Sequence, residues 1–198
     1  MLNQTDLYCF SPTGGTKKVG YEFAQAVSKK VNFIDLAGDC SGSTKSDLAV
    51  IAVPVFGGRI PAINSEKIRS LQGMGKKAVT LVVYGNRAYE DALLELNNSA
   101  KESGFEIVAS GAFIAQHSIV PEVGQGRPDA KDKEEIRAFA QKVMERMESG
   151  IKKEIIVPGN VPYKAEMKRL ATPISLSSCS LCEKCAAVCP VDAIHIQE

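Results

Sequence analysis

Two nearly uninterrupted apolar runs constrain this chain most: "DLAVIAVPVF" at 47–56 and "KKAVTLVVYG" at 76–85. A strand with one wet face alternates apolar and polar residues. A run this uniform reads as a strand buried on both faces, the mark of a parallel sheet covered by helices on each side.

The flanking sequence fits that reading. "DLYCF" (6–10) and "VNFIDL" (31–36) read as strands, and so does "FEIVASGAFIA" (105–115). Helical periods fall between them, over 16–30, 62–71 and 88–103. A last helix, 129–149, opens at Asp129 and puts Ile136, Phe139, Ala140, Val143 and Met147 on one stripe. Strands alternating with helices predict a doubly wound α/β sheet with right-handed crossovers, and the order 2-1-3-4-5 suits five strands. The expected division is a sheet domain over 1–150, a Pro-punctuated linker over 151–175 that packs partly on that domain, and a small separate unit over 176–198.

The chain has 198 residues, 44% of them hydrophobic, enough for one well-packed domain and a small appendage. Its net charge of +1 calls for neither nucleic acid nor an anionic membrane. No apolar run nears the roughly 20 residues of a membrane span. The start "MLNQTDLYCF" lacks the basic and apolar regions of a signal peptide, so a cytoplasmic location is expected.

Ligands of such sheets bind beyond the carboxyl ends of the strands. Three loops fall there: 11–16, 54–61 and 84–89. The first, "SPTGGTKK", is not a nucleoside-triphosphate loop. Gly15 and Gly20 have the right gap, but Tyr21 and Glu22 follow where Lys and Ser/Thr are needed. It also lacks the Gly-x-Gly-x-x-Gly of dinucleotide sites, although Asp35 stands about twenty residues on. What remains is a compact loop at a helix N-terminus, suited to a phosphate monoester held without metal. Ser11, Thr13 and Thr16 offer hydroxyls, Gly14 and Gly15 allow close approach, and Pro12 has no N–H to give. The same residues would also make an ordinary strand–helix turn with a Thr N-cap.

Ser-x-Thr-Gly-x-Thr after the first strand resembles the FMN phosphate loop of flavodoxins. With "PVFGGRIP" and "YGNRAYEDAL", the chain over about residues 5–150 resembles the flavodoxin-like half of flavodoxin–ferredoxin fusion proteins. The resemblance implies FMN bound by Ser11, Thr13, Gly14, Gly15 and Thr16 at its phosphate. Pro54, Val55, Phe56, Gly57, Gly58 and Arg59 would lie at the ring, with Phe56 stacked on it and Arg59 charging it. Tyr84, Gly85, Asn86, Arg87 and Tyr89 would meet its polar edge. Read without the resemblance, Phe56 could be core, Arg59 solvated and either Tyr a half-buried surface residue.

Four of the six cysteines form Cys179-x-x-Cys182-x-x-Cys185-x-x-x-Cys189-Pro190, the spacing of the bacterial ferredoxin run. That spacing favours a 4Fe-4S cluster over a structural zinc site, which draws on two separated knuckles. In two-cluster ferredoxins the fourth Cys serves the other cluster, and no second run is present. Three expectations follow: a longer parent protein, a borrowed ligand (Cys9, Cys40 or a partner's), or Cys189 folding back onto the same cluster. Without a second half, poor cluster occupancy is expected. Cys9 reads as a buried core thiol, and Cys40 is the better remote ligand.

The resemblance implies a carrier passing electrons between FMN and the cluster, with an unidentified redox protein as donor or acceptor. The alternative is an FMN-dependent reductase of a small organic or quinone substrate, with Arg59, Arg87 and His117 as candidate substrate contacts. A non-redox domain with a zinc knuckle is the third reading. His195 is expected to face solvent.

Overall fold

The computed structural model describes residues 1–38, 40, 46–151, 153–166, 174–189 and 191–195. Parts of the 37–46 loop and of the expected linker, together with Pro190, lie outside the described residues. The chain divides into two compact units, Met1–Ala165 and Glu166–Glu198.

The first unit runs β1 (Leu2–Cys9), α1 (Gly15–Val27), β2 (Ser28–Asp35), β3 (Leu48–Pro54), α2 (Ala62–Ser70), β4 (Lys77–Tyr84), α3 (Ala92–Glu102), β5 (Glu106–Ile114) and α4 (Ala130–Ser149). All five strands are parallel, in the order β2-β1-β3-β4-β5. This is the expected doubly wound, flavodoxin-like sheet.

The central strand β3 explains its own composition. Val50 and Ala52 join a core with Val19, Phe23, Ile136 and Ala140, from α1 and α4. Ile51 and Val53 join a second core with Ile68, Ala92, Leu96 and Ala100, from α2 and α3. Each fully buried aliphatic or Phe side chain contributes about 1.5–3 kcal/mol. The edge strand β2 is different: Lys29, Lys30, Asn32 and Asp35 interrupt it, and charges on an edge discourage pairing with other chains.

Two boundaries differ from expectation. Helix α1 stops at Val27, not 30. Ser28 turns extended, and both its N–H and its Oγ donate to the Ala24 carbonyl, the hydroxyl at 2.9 Å. Strand β1 begins at Leu2 because Leu2 pairs with Ser28 in the β2 register. Strand β5 is one piece, as the run 105–115 suggests, with a register shift opposite Ala78/Val79. At α4 the Asp129 carboxylate accepts the Asp132 N–H at 3.0 Å, and Asp132 accepts the Asp129 N–H at 2.9 Å. That reciprocal pair closes a capping box.

Candidate cofactor edge and cysteine segment

Because the strands are parallel, β1, β3, β4 and β5 all deliver their following loops to one edge of the sheet. The three loops singled out in the sequence are thereby brought together.

In the first loop, Phe10 N–H donates to the Ala52 carbonyl at 3.1 Å and holds the chain against β3 until it turns. Gly14 is the N-cap of α1, at φ 85°, where glycine is favoured. No Thr caps the helix. Ser11 Oγ instead accepts the Lys17 N–H at 2.9 Å, and the Gly14 carbonyl accepts the Lys18 N–H at 3.1 Å. The two preceding N–H groups, of Gly15 and Thr16, have no acceptor within the helix, and the helix dipole makes this end attractive to an anion. A Cβ on Gly15 would stand 3.0 Å from Ala115 Cβ, so the glycine lets the loop sit against the end of β5. Lys17 Nζ lies over the Phe33 ring, 4.4 Å from its centroid. Thr13 is exposed and Thr16 buried.

In the second loop, Val55 N–H donates to the Val83 carbonyl at 2.9 Å, extending the sheet past Pro54. Phe56 and Arg59 then exchange both backbone hydrogen bonds across Gly57 and Gly58, at φ 62° and 89°. Positive φ at both central residues makes this a type I′ turn, which explains the paired glycines. Phe56 is not core: it is 50% exposed at the rim.

Arg59, which the resemblance set beside the ring, is held by groups of the first unit. Its Nε and Nη2 donate to the two Glu95 oxygens at 2.6 and 2.7 Å, and its Nη1 donates to the Lys164 carbonyl at 2.6 Å. Its guanidinium also stacks 4.8 Å from the Tyr163 ring centroid. The charge is answered by a buried carboxylate, so Arg59 braces the turn.

In the third loop, Tyr84 and Tyr89 meet edge to face at 5.5 Å, both half-buried. Asn86 sits at φ 59°, and exposed Arg87 donates to Glu90 at 2.7 Å. His117, from the loop after β5, packs on Gly85 so closely that a Cβ there would meet His117 Cδ2 at 2.4 Å. His117 Nδ1 accepts the N–H groups of Ile119 and Val120 at 3.2 and 3.1 Å. That arrangement leaves Nε2 as the protonated nitrogen of the neutral ring.

Within the expected linker, residues 153–165 form a strap that belongs to the first unit. Asn160 N–H and Nδ2 donate to Asp91 Oδ1 at 2.8 and 3.0 Å, and Lys164 N–H donates to Asp91 Oδ2 at 2.6 Å. Asn98 Nδ2 donates to Tyr163 Oη at 2.6 Å, and Lys164 Nζ pairs with Glu90. The strap N–H groups, Lys164's first and then Asn160's, hold the Asp91 carboxyl below its ordinary range. The signal was present: Asp91 at the N-cap of α3 and Glu95 in its first turn stand beside the helix's apolar residues, and a buried carboxylate needs partners.

In the second unit, Lys184–Ala187 form a short helix, α5. Cys179, Cys182 and Cys185 are exposed thiols, and Cys189 is half-buried. Cys189 Sγ accepts the Ala193 N–H at 3.2 Å. Backbone N–H groups hold two thiols below the ordinary range: that of Lys184 first at Cys182, that of Ala193 first at Cys189. Soft thiolates supported by N–H donors are the donor set of an iron–sulfur cluster. Among the described residues no three metal-ligating side chains converge, so the cysteines are not gathered into a preformed site. Cys9 is buried in β1, and Cys40 packs partly against the α2/α3 core.

Comparisons with known proteins agree with both halves of this description. A 4Fe-4S binding domain matches residues 172–195. No curated protein matches the chain. Among solved structures, the flavodoxin of Streptococcus pneumonia TIGR4 is similar at 14% identity and TM-score 0.51, over 72% of this chain and 99% of that one. A short-chain flavodoxin associated with a PDU bacterial microcompartment is 14% identical with TM-score 0.54, over 73% and 98%. Rubredoxin oxygen:oxidoreductase from Desulfovibrio gigas is 13% identical with TM-score 0.53, over 74% of this chain and 36% of that one. At such identities the likeness speaks for the fold. The chain combines a domain of flavodoxin-like fold with a C-terminal segment that matches a 4Fe-4S binding domain. No described helix is long and apolar enough to cross a membrane.

Proposed function

We propose that the protein is an electron carrier that binds FMN at the loop edge of its first unit and exchanges electrons with a 4Fe-4S cluster in its second. The observation that carries the reading is the α1 N-terminus: the N–H groups of Gly15 and Thr16, which have no acceptor within the helix, and the exposed hydroxyl of Thr13, at the same sheet edge as the Gly57–Gly58 turn. The phosphate would sit on Ser11, Thr13, Gly14, Gly15 and Thr16. Pro54, Val55, Phe56, Gly57 and Gly58 would line one side of the ring, and Tyr84, Gly85, Asn86, Arg87 and Tyr89 its edge. Arg59 enters as the brace of the turn.

Cys179, Cys182, Cys185 and Cys189 would hold the cluster. When bound, FMN accepts a hydride or single electrons and the cluster passes electrons one at a time, so the pair converts two-electron into one-electron traffic. The chain's own task is to bind, orient and shield both groups. A soluble location in the cytoplasm and an external redox protein as partner belong to this reading.

A reductase acting on a small quinone is the second reading, favoured by His117 packed on Gly85 at the same edge. Fluorescence titration with FMN, iron and zinc analysis of anaerobically purified protein, and steady-state assays with quinones separate these readings. FMN binding with iron and no saturable quinone turnover is the expected result. Zinc without iron and no FMN binding would sink both redox readings.

A further inference from the structure

The strap and the glycine turn close a ring of hydrogen bonds. Asp91 N–H donates to the Gly58 carbonyl at 3.0 Å, while the Asp91 carboxylate takes the N–H groups of Asn160 and Lys164 at 2.8 and 2.6 Å. The Lys164 carbonyl in turn accepts from Arg59 Nη1 at 2.6 Å, and Arg59 adjoins Gly58. Asp91 is 2% exposed, so its bonds are not exchanged with water. The strap is itself anchored: Ile155 and Val157 pack against the α2/α3 core, and a Cβ on Gly159 would meet Leu94 Cβ at 2.6 Å.

A two-glycine turn has little conformational preference of its own, because glycine populates both signs of φ. Its shape must be imposed from outside. The outside contacts are Asp91 at Gly58, Lys164 at Arg59, and Glu95 at Arg59 and Ile60; of these, Asp91 and Lys164 tie the turn to the strap.

We propose that Asp91 is a positioning residue for the flavin, clamping the 153–165 strap to the Gly57–Gly58 turn so that the strap sets the turn's shape against the ring. The proposal rests on the FMN reading above. The strap ends where the second unit begins, so the chain leaves the first unit from this clamp.

The test compares wild type, Asp91→Ala, Lys164→Pro and Lys164→Ala in the full chain. Lys164→Pro removes the N–H that Asp91 accepts and leaves the sheet domain's residues unchanged. Lys164→Ala removes only the side-chain contact with Glu90. Hydrogen–deuterium exchange of the Phe56 and Arg59 amides is read in the FMN-free proteins. FMN dissociation constants and midpoint potentials are read by titration.

Asp91→Ala and Lys164→Pro should speed exchange at Phe56 and Arg59 and weaken FMN by about tenfold or more, the loss of one hydrogen bond to a charged group. Their midpoint potentials should shift, while the FMN affinity of Lys164→Ala stays within about twofold of wild type. If Asp91→Ala does not fold, Lys164→Pro carries the test. Unchanged exchange, affinity and potential in Lys164→Pro, with wild type binding FMN, would overturn the clamp alone. Failure of wild type to bind FMN would overturn both the clamp's role and the FMN reading.

Discussion

Glu95 on α3 holds Arg59 by two parallel bonds of 2.6 and 2.7 Å, and the same carboxylate accepts the Ile60 N–H at 3.1 Å. One buried acid therefore fixes both the side chain and the backbone at the exit of the glycine turn. Its side chain is 4% exposed and that of Arg59 is 17% exposed, so the pair is mostly withdrawn from water. Breaking such a pair leaves an uncompensated charge inside the protein.

Arg59→Ala should accordingly destabilise the first unit by about 3 kcal/mol, because it strands the Glu95 charge. Arg59→Lys should recover only part of this, since an ammonium cannot repeat the two-pronged geometry. Urea denaturation followed by far-UV circular dichroism reads both. Equal stability of Arg59→Ala and wild type would show that the pair contributes nothing.

Gly58 should resist substitution. At φ 89° an alanine is strained, and its Cβ would lie 1.9 Å from Glu90 Oε2, forcing that carboxylate away from Lys164. Gly58→Ala is expected to cost about 1–2 kcal/mol from backbone strain alone. A shift of the thermal midpoint below that of wild type is the check.

Thiol chemistry should divide the six cysteines. Burial, with a smaller push from the Asp35 charge, raises the Cys9 thiol to about 12. In reduced, metal-free protein at pH 8, Cys9 should stay unlabelled by iodoacetamide until denaturant is added. Cys182 should label among the fastest, being exposed and held below the ordinary thiol range. Loading with iron and sulfide should then protect Cys179, Cys182, Cys185 and Cys189 together. Mass spectrometry of the labelled peptides reads each site, and rapid native labelling of Cys9 would contradict its place in β1.

Acid should loosen the start of α4. The guanidinium of Arg127, foremost, lowers the Asp132 carboxyl from its ordinary 3.8. A carboxyl lowered on folding stabilises the protein above its ordinary value and loses that contribution as pH falls through the lowered one. Stability should therefore drop below about pH 4, the ordinary carboxyl range. Asp132→Asn should cost about 1–2 kcal/mol at pH 7, because it takes away the charged partner of Arg127. It should also flatten the acid limb, and denaturation series at pH 7 and pH 3 compare the two proteins.

Much of this architecture is legible in the residues themselves. The uniform apolar character of 47–56 and 76–85 can be satisfied only by strands covered on both faces, and that requirement brings helices and parallel order with it. Asp129 marks the start of α4 because a capping side chain acts within three residues. The paired glycines of the second loop announce positive φ, and the cysteine spacing announces its chemistry, since both depend on near neighbours alone.

What depends on distant partners was hidden. Arg59 and Glu95 are separated by 36 residues, and Asp91 and Lys164 by 73, so no local pattern joins them. The segment 153–165 has no period of its own, and its prolines and glycine read as a linker. Only the folded α3, presenting Asp91 and Glu95 together, turns it into a strap. Hydrophobic pattern and short-range backbone rules were enough for the sheet, its loop edge and the cysteine run. Where Arg59's charge goes and what holds the glycine turn were settled only on folding, because those are matters of long-range burial and charge pairing.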